Sequence, residues 1–105
     1  MPGSRSREVS RLAELFAALS HPRRVVIVEC LLDGEKSVGE LCDCDRLAGS
    51  KQPNMSQHLG VLKRAGLLKE RRDGNRVYYA TTSPKIKELL RTGGQISLQR
   101  LRALL

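Results

Sequence analysis

Residues 52–66, Gln-Pro-Asn-Met-Ser-Gln-His-Leu-Gly-Val-Leu-Lys-Arg-Ala-Gly, read as a helix marked at both ends, and they lead without a linker into two strand-like segments. Pro53 suits a first helical turn, because the amide proton it lacks would have no partner there and its φ is already helical. Met55, Leu59 and Leu62 fall at i, i+4 and i+7, which predicts one buried stripe, while Asn54, Gln57 and Arg64 point the other way. Gly66 supplies a left-handed C-terminal cap. Beyond it, Leu67 to Arg71 and Arg76 to Ala80 are rich in long and β-favouring side chains. Asp73-Gly74, inside the 72–75 connection, signals a hairpin turn between them.

A helix running into a hairpin with a cationic tip is the winged-helix pattern, and the charge says what such a pattern would face. Nineteen Lys and Arg against eleven Asp and Glu leave a net charge of +8. Within residues 51–80, Lys51, Lys63, Arg64, Lys69, Arg71, Arg72 and Arg76 outweigh Glu70 and Asp73, so +5 of the total lies over the helix and hairpin. Such a patch implies a polyanionic partner. Short amides at the start of the helix can bond adenine edges in a major groove, and Arg71, Arg72 and Arg76 at the hairpin suit phosphates or a minor groove. Phe16, Tyr78 and Tyr79 are the only aromatics of the Phe, Tyr and Trp kind. Single-stranded readers stack bases on aromatic platforms, so duplex DNA is the expected partner.

At 105 residues the chain is expected to be one domain with a modest core. Residues 1–6 read as a short flexible polar tail. Val9, Leu12, Leu15, Phe16 and Leu19 recur at helical spacing, predicting a first helix that buries one face. Ser20-His21-Pro22 stops it and starts a second helix, about Arg23 to Leu32, apolar on most sides. Ser37-Val-Gly-Glu40 is a capping box for a short third helix running through the cysteines. That helix and the one from Pro53 make a helix-turn-helix with a long connection, from about Asp45 to Gln52. Ser83-Pro84 opens a last helix, interrupted near Thr92-Gly93-Gly94, and an apolar series of Ile96, Leu98, Leu101, Leu104 and Leu105 follows. The first helix and residues 84–105 together are expected to form a homodimer interface. The fold class is therefore mainly α with a two-stranded β wing. No apolar stretch suggests a signal peptide, a membrane span or membrane association, and a cytoplasmic location is expected.

Five blocks in order, Leu19-Ser-His-Pro-Arg-Arg24, Val38-Gly-Glu-Leu41, Gln52-Pro-Asn-Met-Ser-Gln-His-Leu59, Leu62-Lys-Arg-Ala-Gly-Leu67 and Gly74-Asn-Arg-Val-Tyr-Tyr79, resemble the ArsR/SmtB family of bacterial and archaeal repressors. The resemblance implies a homodimer that binds an imperfect palindromic operator and releases it when an inducer binds. It also implies that Gln52, Asn54, Ser56, Gln57 and His58 lie at the DNA surface. A second reading has His58 packed under the hairpin. Lys63, Arg71, Arg72 and Arg76 complete the expected DNA-facing set. Glu40-Leu-Cys-Asp-Cys-Asp45 looks like the box with which arsenic- and cadmium-type members hold a soft metal or metalloid. Two features depart from that pattern: Leu47 stands where arsenic-type members often have a third cysteine, and no cysteine precedes Cys30. The family's other metal site needs Asp, His and Glu on the last helix, where this chain has no His or Asp.

Three cysteines, two of them one residue apart, argue for reduced thiols with a chemical task rather than a disulfide framework. Thiolates prefer arsenic(III), antimony(III), cadmium or lead to hard cations, and these are the candidate inducers at Cys42 and Cys44, with no cofactor required. Residues i and i+2 of a regular helix point about 200° apart, so both thiols could grip one ion only by distorting the helix that supports the reading helix. Cys30 would be a third ligand or simply a buried apolar residue. The same thiols also suit a reversible disulfide in a redox or reactive-sulfur switch. A winged-helix protein-interaction module remains as a further alternative, although it would not need the +5 patch. No nucleophile, carboxylate pair or phosphate loop suggests an enzyme.

Overall fold

The computed structural model describes residues 2–44, 47 and 52–104, with side chains at 5–44, 47 and 54–104. In chain order the elements are α1 (Pro2–Ala18), α2 (Pro22–Leu31), β1 (Lys36–Ser37), α3 (Val38–Cys42), α4 (Gln52–Arg64), β2 (Leu68–Asp73), β3 (Arg76–Thr81) and α5 (Lys85–Ala103). Of the expected connection from about Asp45 to Gln52, all but Leu47 and Gln52 lies outside the described residues.

The core forms where the apolar stripes of α2, α3 and α4 meet. Ile27, Val28 and Leu31 come from α2, Leu41 from α3, and Met55, Leu59 and Leu62 from α4, all at 1% exposure or less. Leu47, which stands where a third thiol would be expected from the arsenic-type pattern, is also buried in this core. Burying each large apolar side chain is worth roughly 1.5–3 kcal/mol, whereas an exposed ion pair adds about 0–1 kcal/mol, so packing seats α4. The ends of α4 follow from chemistry near them. Gly66 takes φ +83°, and the Leu67 amide donates to the Leu62 carbonyl at 3.0 Å, the six-to-one bond of a Schellman cap.

The Ser37 capping box is complete. The Glu40 amide donates to the Ser37 hydroxyl at 3.1 Å, and the Ser37 amide donates to the Glu40 carboxylate at 3.0 Å. Those bonds to Ser37 hold the Glu40 carboxyl below its usual range.

β2 and β3 form the expected antiparallel wing, in register from Leu68 opposite Thr81 to Asp73 opposite Arg76. Arg72 and Asp73 therefore belong to the strand, and Gly74-Asn75 alone makes the turn. Gly74 takes φ +61° and no described non-glycine residue has a positive φ, the pattern of a type II′ turn. A third strand joins the wing: Lys36 and Ser37 of β1 pair with Tyr79 and Tyr78, giving the order β1-β3-β2. Two residues are too few to show alternation, so only two strands of the wing are legible in the sequence.

Three further expectations are corrected. The polar tail is helical from Pro2, as the first turns of α1. The α1 stripe is covered only in part within the chain: Leu15 and Leu19 pack against the core, whereas Val9, Leu12 and Phe16 are 49%, 53% and 51% exposed. The last helix runs unbroken through Gly93 and Gly94. Each glycine costs a helix about 1 kcal/mol relative to Ala, too little to interrupt nineteen residues otherwise rich in good helix formers.

Candidate nucleic-acid interface and thiol pair

Burial of Met55, Leu59 and Leu62 turns the opposite side of α4 outward. Asn54, Ser56 and Gln57 are exposed there, where they are available to a groove, and the side chain of Gln52 lies outside the described residues. His58 is half-buried. Its ring lies 4.7 Å from that of His21, tilted by 53°. His21 is the N-cap of α2 and its Nδ1 accepts from the Arg23 amide at 3.2 Å. Burial first, then the charges of His21, Arg24 and Arg23, push the His58 pKa down.

The expected DNA-facing cations divide into two groups. Lys63 donates to Glu70 at 2.8 Å, and Glu70 also accepts from the Tyr79 hydroxyl at 3.1 Å. These two bonds hold Glu70 below the ordinary carboxylate range, and burial followed by the Glu70 contact raises Tyr79. Arg71 reaches back to Glu35 in the turn after α2, with contacts of 2.6 and 3.2 Å, and its guanidinium lies 4.6 Å from the Tyr78 ring centre. Arg71 thus clamps the wing to the body of the domain and depresses the Glu35 pKa. Arg72 and Arg76 are exposed near the hairpin tip and make no ion pair among the described residues.

Two cations outside the expected set sit beside α4. Arg24, at the start of α2, and Arg64, at the end of α4, border a cavity of about 430 Å³ together with Ser56, Gln57, His58 and Gly60. Arg64 is legible from the polar face of the helix, whereas Arg24 sits half-buried in an apolar-looking segment where nothing local marks it.

The cysteines are arranged differently from the expected pair. Helix α3 stops at Cys42 with Asp43 as its C-cap, so Cys44 lies in the turn beyond it. That turn is held by the Cys44 amide donating to Leu41 at 3.1 Å and the Leu47 amide donating to Cys44 at 2.8 Å. The Cys44 sulfur meets Cys30, with Sγ–Sγ 2.8 Å, linking the last turn of α2 to the exit from α3. The constraint of adjacent residues on one regular helix therefore does not apply to Cys42 and Cys44. All three cysteines are thiols and partly buried. No group of three or more His, Cys, Asp or Glu converges among the described residues.

A helix-turn-helix whose reading helix is followed by a β-hairpin defines a winged DNA-binding domain. The chain matches the helix-turn-helix domain family over residues 19–71. It is 49% identical over 78 residues to the uncharacterised HTH-type transcriptional regulator Rv0081 of Mycobacterium tuberculosis, covering 74% of this chain and 67% of that one. The crystal structure of Rv0081 superposes with a TM-score of 0.77 at 42% identity, over 87% of this chain and 89% of that one. The biofilm growth-associated repressor of Xylella fastidiosa is 38% identical over 84 residues, 80% of this chain and 71% of the repressor. The homodimeric winged helix-turn-helix domain of Mb0332 from Mycobacterium bovis, described as a possible ArsR-family regulator, superposes with a TM-score of 0.80 at 25% identity, over 94% of this chain and 89% of that one. This chain belongs to the winged helix-turn-helix transcriptional regulators of ArsR/SmtB-type fold. It is a DNA-binding regulator and not an enzyme. No helix among the described residues is long and apolar enough to cross a membrane.

Proposed function

We propose that the chain is a homodimeric repressor whose grip on an imperfect palindromic operator depends on the state of the Cys30–Cys44 thiol pair. The observation that carries this reading is the 2.8 Å sulfur separation across two elements that both pack beside α4. Repression is supported by the likeness to the biofilm growth-associated repressor. Dimerisation is supported by the exposed stripes of α1 and α5 and by the homodimeric Mb0332 fold.

Oxidation by a peroxide is the simplest event the pair supports. Each thiol gives up a proton and an electron, a sulfur–sulfur bond forms, and hydrogen peroxide breaks its O–O bond to leave two waters. The bond requires the sulfurs to close to about 2.05 Å with a dihedral near 90°. The turn after α3 must follow, and it precedes α4 in the chain. Moving nearly all of a population from DNA-competent to incompetent requires about 5.5 kcal/mol of preference for the second state.

A second reading keeps the same pair as a soft-metal or metalloid site, with Cys42 as a further ligand. Its support is that two thiols already converge and that arsenic(III), antimony(III), cadmium and lead favour sulfur. The deciding experiment measures DNA release from an operator selected out of a random duplex library. Peroxide, persulfide, arsenite, cadmium and lead are each applied to wild type and to Cys30→Ser, Cys42→Ser and Cys44→Ser. Release by oxidant, lost in Cys30→Ser and Cys44→Ser but kept in Cys42→Ser, is expected. Release by arsenite or cadmium that requires Cys42 supports the metal reading, and release unchanged in all three variants removes the thiols from the mechanism.

A further inference from the structure

Arg24 and Arg64 stand apart from the other cations around α4. Lys63 and Arg71 have their charges met within the chain by Glu70 and Glu35. Arg24 and Arg64 make no ion pair among the described residues, and the Arg24 Nε is buried without any hydrogen-bond partner. An unpartnered guanidinium N–H away from water is costly, and an acceptor brought to this pocket would relieve that cost. The cavity beside it has no carboxylate in its lining, which offers the two guanidinium groups, the Ser56 hydroxyl, the Gln57 amide and the His58 ring. Glu14 borders an adjoining cavity of about 410 Å³ on the side facing α1, which Arg24 and Arg64 also line, but makes no ion pair with either among the described residues.

Gly60 helps to build this arrangement. A Cβ at that position would lie 3.3 Å from an Arg64 Nη, so the absent side chain lets the guanidinium fold back along α4. Gln57 and Arg64 are seven residues apart on a helix, two turns along one face, so the pocket adjoins the outward surface expected to meet bases. Guanidinium groups present paired donors that match a phosphate.

We propose that Arg24 and Arg64, with His58 between them, form a pocket for a backbone phosphate of the bound duplex, making the start of α2 a DNA contact separate from the reading helix tip and the wing. This rests on the duplex-binding part of the reading above and is independent of the thiols.

The test is a salt series of fluorescence-anisotropy titrations with a random-sequence duplex, because a phosphate contact is indifferent to sequence. Each phosphate contact contributes about 0.9 to the slope of log affinity against log salt. Arg64→Gln and Arg24→Gln are each expected to lower the slope by about that amount, and the double variant by more. Lys87→Gln, which removes an equal charge on α5, should leave the slope unaltered. Arg64 is exposed. Should Arg24→Gln fail to fold, Arg64→Gln therefore carries the test alone. Folded arginine variants that keep the wild-type slope overturn the proposal, as does a Lys87→Gln loss of equal size. A free anion is the other source of the same chemistry. If inorganic phosphate, compared with chloride at equal ionic strength, raises the melting temperature of wild type but not of Arg64→Gln while DNA slopes stay equal, the pocket serves that anion and the duplex contact is wrong. A wild-type protein with no salt-dependent duplex binding would instead defeat duplex binding itself.

Discussion

Helix α4 and the outer helices α1 and α5 carry similar apolar patterns but meet different surroundings. Met55, Leu59 and Leu62 of α4 are covered by α2, α3 and neighbouring residues of the same chain. On α1 and α5, Phe16, Ile96 and Leu101 remain 51%, 62% and 56% exposed, as does Leu104 at the α5 C-cap at 77%. Periodicity identifies which side of a helix avoids water, and it does not say whose atoms provide the cover. The contrast separates a stripe that stabilises the chain from stripes suited to a second copy.

The strongest way to break this comparison is to truncate one residue from each side. Leu59→Ala should cost about 2–5 kcal/mol in urea unfolding at every protein concentration, because the cavity it leaves is internal. Leu101→Ala should instead cost an amount that shrinks toward zero as protein is diluted and the dimer dissociates. A concentration-independent loss for Leu101→Ala would mean that α5 supports its own chain alone.

Next in size, Phe16→Asp combined with Leu101→Asp should convert a dimer to a monomer in sedimentation. It should also weaken operator binding by about a hundredfold, since two linked half-site contacts become separate ones. A double variant that stays dimeric would place the interface elsewhere.

Smaller effects sharpen the account of the inner half. Ser37→Ala removes one arm of the capping box and should cost about 1 kcal/mol, read from the denaturation midpoint with an unchanged slope. His58 should provide the smallest signal. Its folded pKa lies below the ordinary 6.5 because of burial and the neighbouring charges of His21, Arg24 and Arg23. The unfolded chain therefore binds the proton more readily. Stability should fall as pH drops through about 6.5 toward the folded value and should be fully present above it. Melting temperatures at pH 7.5 and 5.5 should differ less in His58→Gln than in wild type, and an equal difference would show that His58 is not the group responsible.

The parts of the fold that were legible in the residues are those set within a few positions of themselves. The stripe of α4, the Gly66 cap, the Ser37-to-Glu40 box and the glycine turn of the wing each depend on spacing or on one residue's conformational range. The outward amides at Asn54 and Gln57 were legible for the same reason, since burying one side of a helix assigns the other. Less was legible where competing local signals were weak: Gly93-Gly94 suggested a break that the surrounding helix formers override, and β1 was too short to show a pattern.

Sequence alone determined a winged reading helix with concentrated positive charge, because helix periodicity, capping and turn chemistry are local and charge is additive. Tertiary structure decided which side chains meet. Cys44 meets Cys30 rather than Cys42, the His58 ring lies tilted against that of His21, and Arg71 closes on Glu35, fourteen, thirty-seven and thirty-six residues apart. Those meetings depend on how α2 and the turns around it pack beside α4 and the wing, and no local preference of either partner specifies them.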